Sequence, residues 1–181
     1  MGRAHEIETL VAALTALADE PRIGFVFSGG GAGWQQLRRL QQQYRWTHVH
    51  FLPYQPQEKL LSLLNLSDVH LVSLRAGLEG WLVPSKFYAS LAVGRPVIYI
   101  GPAASEVAQQ LQIHACGWQI TPGRPGELLD LLCRLDPATC QAAGLRGRAA
   151  LLAHWDKPQA LARWQQLLVQ WDIPHELEHQ P

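Results

Sequence analysis

From Glu6 to Ala18 the apolar residues Ile7, Leu10, Val11, Leu14 and Leu17 recur at helical spacing, which predicts an amphipathic helix. Pro21 marks a turn, and "IGFVFS" (23–28) then reads as a buried strand running into "GGGAG". A helix is expected over 34–43, a strand at "HVHFL" (48–52), and a helix over 57–66 with Leu60, Leu61 and Leu64 facing inward. "DVHLVSL" (68–74) alternates as a strand does. An apolar helix over 85–93 should stop at Gly94, ahead of the all-apolar strand 97–100. A helix near 105–112, the strand "GWQI" (117–120) and a helix over 125–135 continue the alternation, and helices over roughly 137–153 and 158–171 end it. Strands separated by helices imply parallel βαβ units. The expected fold is therefore α/β: one Rossmann-like, doubly wound parallel sheet flanked by helices, with additional C-terminal helices. Ligands of such folds sit at the carboxyl ends of the strands.

Composition narrows the picture. The chain has 181 residues, 48% apolar and 17% charged, which predicts a single compact domain over 1–181. Lys plus Arg and Asp plus Glu each count 15, so no bulk field favours nucleic acid or an anionic surface. Any phosphate must be held by local geometry. The three cysteines (Cys116, Cys133, Cys140) form no CxxC pair and read as reduced thiols. The start shows no signal peptide, and no stretch reaches the ~20 apolar residues that cross a bilayer. The expected location is the cytoplasm, with nothing to bar work beside the inner face of a membrane.

Four strand-to-helix or helix-start segments carry unusual chemistry. In "VPSKFYASLAVGRP" (83–96) a lysine, Lys86, stands in the first turn of a helix, where the backbone dipole is already positive. Pro84 and Ser85 suit a helix start, the serine as a cap. Free N–H groups there, with an ammonium beside them, bind phosphate oxygens. In "SGGGAG" (28–33) three glycines, among them Gly30 and Gly31, permit close backbone approach, although the spacing matches neither G-x-G-x-x-G nor a P-loop. In "SLRAGLEGWL" (73–82) Arg75 and Glu79 are the only charges in an apolar loop, and an ordinary Arg–Glu surface pair would explain them equally well. In "MGRAHE", Arg3 and His5 precede a helix, where cations are again unexpected without an anion.

Two metal-like patterns do not persuade. "HELEH" (175–179) fits H-E-x-x-H but stands two residues from the end, and His48 with His50 on one strand face make no site alone; no metal is expected. Seven tryptophans include Trp155, Trp164 and Trp171 near the C-terminus, which suit packing or a surface for another domain.

Together these segments resemble the C-terminal, donor-binding domain of family four glycosyltransferases, the retaining GT-B enzymes. The likeness is to bacterial polysaccharide transferases of colanic-acid and O-antigen assembly. The carrying stretches are "MGRAHEIETLVAAL", "FVFSGGGAG", "VHFLPYQPQEKL", "SDVHLVSLRAGLEG", "VPSKFYASLAVGRPVIYIG" and "ACGWQITPG". The resemblance implies a nucleotide-diphosphate sugar along the strand ends. Arg3, His5, Ser85 and Lys86 would hold the diphosphate. Glu79, with Gly80, would meet the sugar hydroxyls, although its spacing to the helix is two residues longer than usual. Gly30, Gly31 and the loop 51–55, including Pro53 and Tyr54, would lie along the nucleotide. The family commonly has a glutamate for the ribose hydroxyls where this chain has Ala89.

No cofactor or metal is implied beyond the donor itself; the other partner is a glycan or lipid-linked acceptor. The chain starts inside the family's "G-N-x-G-R-A-H" junction, so an N-terminal acceptor domain is expected to be absent. Because transfer occurs between two domains, this chain alone is expected to be inactive. The alternatives are a free-standing nucleotide-sugar-binding module or subunit partnering a separate N-terminal domain, and a sugar-nucleotide epimerase of the GT-B fold.

Overall fold

The computed structural model describes residues 4–82 and 84–171. The elements run α1 (Glu8–Ala16), β1 (Phe25–Ser28), α2 (Ala32–Tyr44), β2 (Val49–Leu52), a 3-10 turn (Gln57–Lys59), α3 (Leu60–Leu64), β3 (His70–Ser73) and α4 (Ser85–Ala92). Then follow β4 (Val97–Ile100), α5 (Glu106–His114), β5 (Gly117–Ile120), α6 (Pro125–Arg134), α7 (Pro137–His154) and α8 (Lys157–Gln170). Strands separated by helices give the expected α/β architecture of parallel sheets flanked by helices.

The strands hydrogen-bond as two parallel sheets rather than one. β1 pairs with β2, and β4 lies between β3 and β5. Among the described residues no backbone ladder joins β1 to β3. Side chains connect the sheets instead. On one face Phe25, Phe27 and Val49 share a core with Ile98, Ile100 and Ile120, beneath Leu10 and Leu14 of α1 and Leu128 of α6. The apolar positions Ile7, Leu10, Leu14 and Leu17 are all buried there, and Val11 packs against them, as the helical spacing requires.

The other face is covered only over β3–β5. Phe87 and Leu91 of α4, Val107 and Leu111 of α5, and Tyr99 of β4 make a second core there. β4 is buried at all four positions, which is why "VIYI" is a continuous apolar run. The expected inward helix over 57–66 is not formed. Only Leu60–Leu64 is α-helical, none of it is buried, and Leu60 and Leu61 are 49% and 66% exposed. With Val26 of β1 also exposed, the outer face of β1–β2 lacks a covering helix.

Helix α7 locks α4 in place. It buries Cys140, Ala143, Gly144, Gly147 and Ala150, and a Cβ on Gly144 would collide with the Gly94 carbonyl. Gly94 itself ends α4 with φ +67°, donating its N–H to Leu91 O at 3.0 Å, so the stop signal works as expected. Trp155, just past α7, packs edge-on against Phe87, Tyr88 and His114. Trp164 and Trp171 are exposed, and α8 buries no residue. No helix among the described residues is long and apolar enough to cross a membrane.

Candidate functional site

The carboxyl ends of β3 and β4 meet the start of α4, and the expected residues gather there. Residue Ser85 opens α4, with Pro84 at the cap position in an extended conformation. The expected capping hydrogen bond from Ser85 is absent: it is the first helical residue, not the cap, so its hydroxyl cannot reach forward to the N–H groups one turn on. The Phe87 N–H reaches the Pro84 carbonyl at 3.0 Å. The N–H groups of Ser85 and Lys86 find no acceptor among the described residues. No acidic residue occupies the first turn. Among the described residues, the start of α4 therefore offers two N–H donors without an acceptor and an exposed ammonium without a facing carboxylate.

His5 is brought to the same place. Arg75 N–H donates to the Ala4 carbonyl at 2.8 Å, and Arg75 Nε donates to the His5 carbonyl at 3.1 Å, which ties the 4–5 segment across the end of β3. His5 Nδ1 lies 3.1 Å from Ser73 Oγ, the last residue of β3. Burial and then the charge of Lys86 hold the His5 imidazole below its ordinary value. His5 thus stands beside Lys86 as a neutral ring at pH 7, a hydrogen-bonding group rather than a second cation.

Glu6 fixes this arrangement, and nothing in the sequence reading pointed to it. Its Oε1 accepts from both the N–H and the hydroxyl of Thr9 at 3.0 Å, capping α1 from outside the helix. Thr9 Oγ1 in turn accepts from Gly123 N–H at 2.8 Å, which anchors the chain start to the loop after β5. The signal, had it been sought, is the acid three residues before the threonine.

The loop between β3 and α4 differs from the surface-pair reading. Arg75 pairs with Glu8, at 3.5 Å, rather than with Glu79. Glu79 instead accepts from the N–H of Gly77 at 2.7 Å and is half-buried. Gly77 and Gly80 both have positive φ, so the two glycines let the loop fold back around the carboxylate. Glu79 and Gly80 line a cavity of about 330 Å³ with Leu82 and Pro84 on one side of the sequence and Ser105 and Glu106 on the other.

At the ends of β1 and β2 a second group forms. The Tyr54 ring lies over the glycine loop so closely that a Cβ on Gly30 would come within 3.0 Å of it. Gly31 carries φ +100° at the cap of α2, a conformation that glycine adopts without strain. Ser28 Oγ donates to the Pro53 carbonyl at 3.2 Å, tying the two loops together. Gly30, Gly31, Pro53 and Tyr54 are therefore neighbours, and Tyr54 remains 79% exposed.

Arg3 and "HELEH" lie outside the described residues. His48 and His50 differ in burial: His48 is packed against the rings of Phe25 and Trp46, whereas His50 is exposed. Among the described residues no group of three metal-ligating side chains exists. Ala89, the fifth residue of α4, presents no polar side-chain atom for a ribose.

Comparison with known proteins shows the family to which the chain belongs. The family described as glycosyl transferases group 1 matches residues 1–135. The chain belongs to that family. It is 27% identical over 139 residues to WbjE of Pseudomonas aeruginosa, described as a probable glycosyltransferase, a match covering 75% of this chain and 34% of that one. It is 33% identical over 109 residues to WcaI of Escherichia coli strain K12, named for colanic acid biosynthesis glycosyl transfer, covering 60% and 26%. In structure it resembles the sucrose-phosphate synthase of Thermosynechococcus elongatus, with TM-score 0.76 and 22% identity, over 93% of this chain and 43% of that one. The chain thus spans about a third and a quarter of the length of the two relatives.

Proposed function

We propose that this chain is the donor-binding domain of a glycosyltransferase that moves a sugar, with retention, from a nucleotide-diphosphate sugar to a glycan or lipid-linked acceptor. The observation that carries the reading is the start of α4. Among the described residues, two backbone N–H groups and the Lys86 ammonium are left without an anion, beside the neutral ring of His5. A diphosphate supplies what that site lacks.

The chemistry follows from where charge develops. As the glycosidic bond to the donor breaks, negative charge grows on the departing diphosphate. Lys86 and the N-terminus of α4 meet it there, which favours the transition state over the ground state. Arg3 joins this group, Ser85 and His5 orient the phosphate oxygens, and no metal is needed for the task. Glu79 and Gly80 hold the sugar. Gly30, Gly31, Pro53 and Tyr54 lie along the nucleotide, the Tyr54 ring as an apolar platform for the base. Ribose is left to backbone groups, since Ala89 offers none.

A rim of this kind is open on one side. An acceptor-bearing second domain closes over it and excludes water, so the chain taken alone binds donor without transferring sugar. Such a protein works in the cytoplasm, at the inner face of the membrane when its acceptor is lipid-linked.

Isothermal titration with UDP and GDP tests the reading. Lys86→Ala should weaken nucleotide-diphosphate binding by about tenfold or more, the loss expected of one charge-assisted contact. Unchanged affinity in that variant would remove Lys86 from the site.

A further inference from the structure

The cavity beside Glu79 has a charge pattern opposite to that of the phosphate rim. Its volume of about 330 Å³ falls at the small end of ligand sites, which run from roughly 300 to 1,000 Å³. Glu79 reaches it from the loop before α4, and Glu106 and Gln109 reach it from the first turns of α5. Among the described residues no lysine or arginine lines it. An acid at the first position of α5 is favourable to the helix by itself, which accounts for Glu106 alone. It does not account for a second carboxylate facing the same space.

An independent feature points to this cavity. Tyr99 is fully buried in β4, and its hydroxyl finds no well-formed hydrogen bond, only the approach of the Ser105 side chain. That hydroxyl is held at the strand end, where a side chain on Gly101 would collide with it. Its polar neighbours are the Ser105 hydroxyl, which accepts from the Ala108 N–H at 3.3 Å and keeps a proton and a lone pair for the phenol, and the carboxylate of Glu79. Both Ser105 and Glu79 line the cavity. The protein therefore keeps a desolvated, weakly bonded phenol behind Ser105, a residue of the cavity wall.

Resting on the donor-binding reading above, we infer that this cavity receives the donor's sugar and selects a neutral or amino sugar over a uronate, with Glu106 as a specificity-determining residue. Sugar hydroxyls and an ammonium both donate to carboxylates. A uronate carboxylate would meet two like charges with no cation among the described residues to offset them, and juxtaposed like charges are a strong means of rejection. Glu106 is free for the role: its one side-chain contact is a long 3.5 Å approach from the Tyr88 hydroxyl.

Calorimetry on the chain as it stands decides the matter, with two matched pairs of probes. UDP-glucose is compared with UDP-glucuronate, and GDP-mannose with GDP-mannuronate; each pair differs only in a hydroxymethyl against a carboxylate. For whichever nucleotide binds, the neutral sugar should bind about tenfold more tightly than its uronate. Glu106→Gln, which removes the charge and keeps the shape, should shrink that ratio to about threefold while leaving the affinity for UDP or GDP itself unchanged. Glu106→Asp should restore most of the ratio. If Glu106 served only to stabilise α5, Glu106→Gln would lower the melting temperature and leave the ratio intact, which overturns the inference. Equal affinity of the wild-type chain for both members of a pair overturns it as well. Failure of both UDP and GDP to bind defeats the donor reading itself, a result distinct from a nucleotide that binds without sugar discrimination.

Discussion

The β3–β4–β5 half and the β1–β2 half of the molecule are built from similar βα units and finished differently. In the first, both sheet faces are covered, every residue of β4 is buried, and α7 presses its small residues onto α4. In the second, one face carries the shared core while the other shows Val26 and the leucines of α3 to solvent. The residues proposed for the diphosphate and sugar sit on the fully enclosed half, and those proposed for the nucleotide sit on the thin one. Positioning a cation and a carboxylate to within a fraction of an ångström needs locked side chains, whereas stacking against a base tolerates play. The difference teaches that the half assigned the chemistry is also the half in which packing leaves the least freedom.

Three measurements would break or sharpen that contrast. The largest effect is expected at Phe87, fully buried on the inner side of α4 and against Trp155. Phe87→Ala should cost about 3–5 kcal/mol in urea unfolding, the usual loss for a buried aromatic. A loss under 1 kcal/mol would mean that the enclosed half is not the rigid one.

Next comes pH, through a histidine in the thin half. His48 is buried, and burial, opposed in part by a hydrogen bond with the Leu14 backbone, lowers its pKa from the ordinary 6.5. In the unfolded chain it takes up a proton near that ordinary value, in the folded chain only at lower pH. Its contribution is therefore complete above about pH 6.5 and is lost as pH falls through the folded value. The melting temperature should drop between about pH 7.5 and 5.5, and His48→Leu should flatten that drop. His70 is also lowered by burial but bonds the Leu64 carbonyl at 2.8 Å, and together with His5 and His114 it leaves a residual slope. An identical pH profile for wild type and His48→Leu would show that the buried imidazole contributes nothing.

The smallest effect belongs to α3. Leu61→Ala should change stability by no more than about 0.5 kcal/mol, because the residue is 66% exposed. A loss comparable to that of Phe87 would show that the outer face of β1–β2 is covered in solution.

Much of this was legible in the chain alone. The order of strands and helices, the burial of Ile7, Leu10, Leu14 and Leu17, the stop at Gly94 and the gathering of candidates at strand ends all follow from local patterns of apolarity, glycine and proline. Those patterns are short-range, and the backbone obeys them before any partner arrives. Lys86 stood out for the same reason, as a cation at odds with its own helix dipole.

What local pattern could not decide was settled by neighbours far along the chain. Leu60 and Leu61 have the spacing of a core helix, yet they face solvent because no sheet face closes over them. Arg75 has Glu79 nearby in sequence and pairs with Glu8 instead, since the chain start crosses the end of β3. The neutrality of His5 comes from burial and from Lys86, eighty-one residues on, and the approach of Glu106 to the cavity holding Glu79 comes from two separate loops. Desolvation and charge coupling depend on what is nearby in space, which a one-dimensional pattern does not contain.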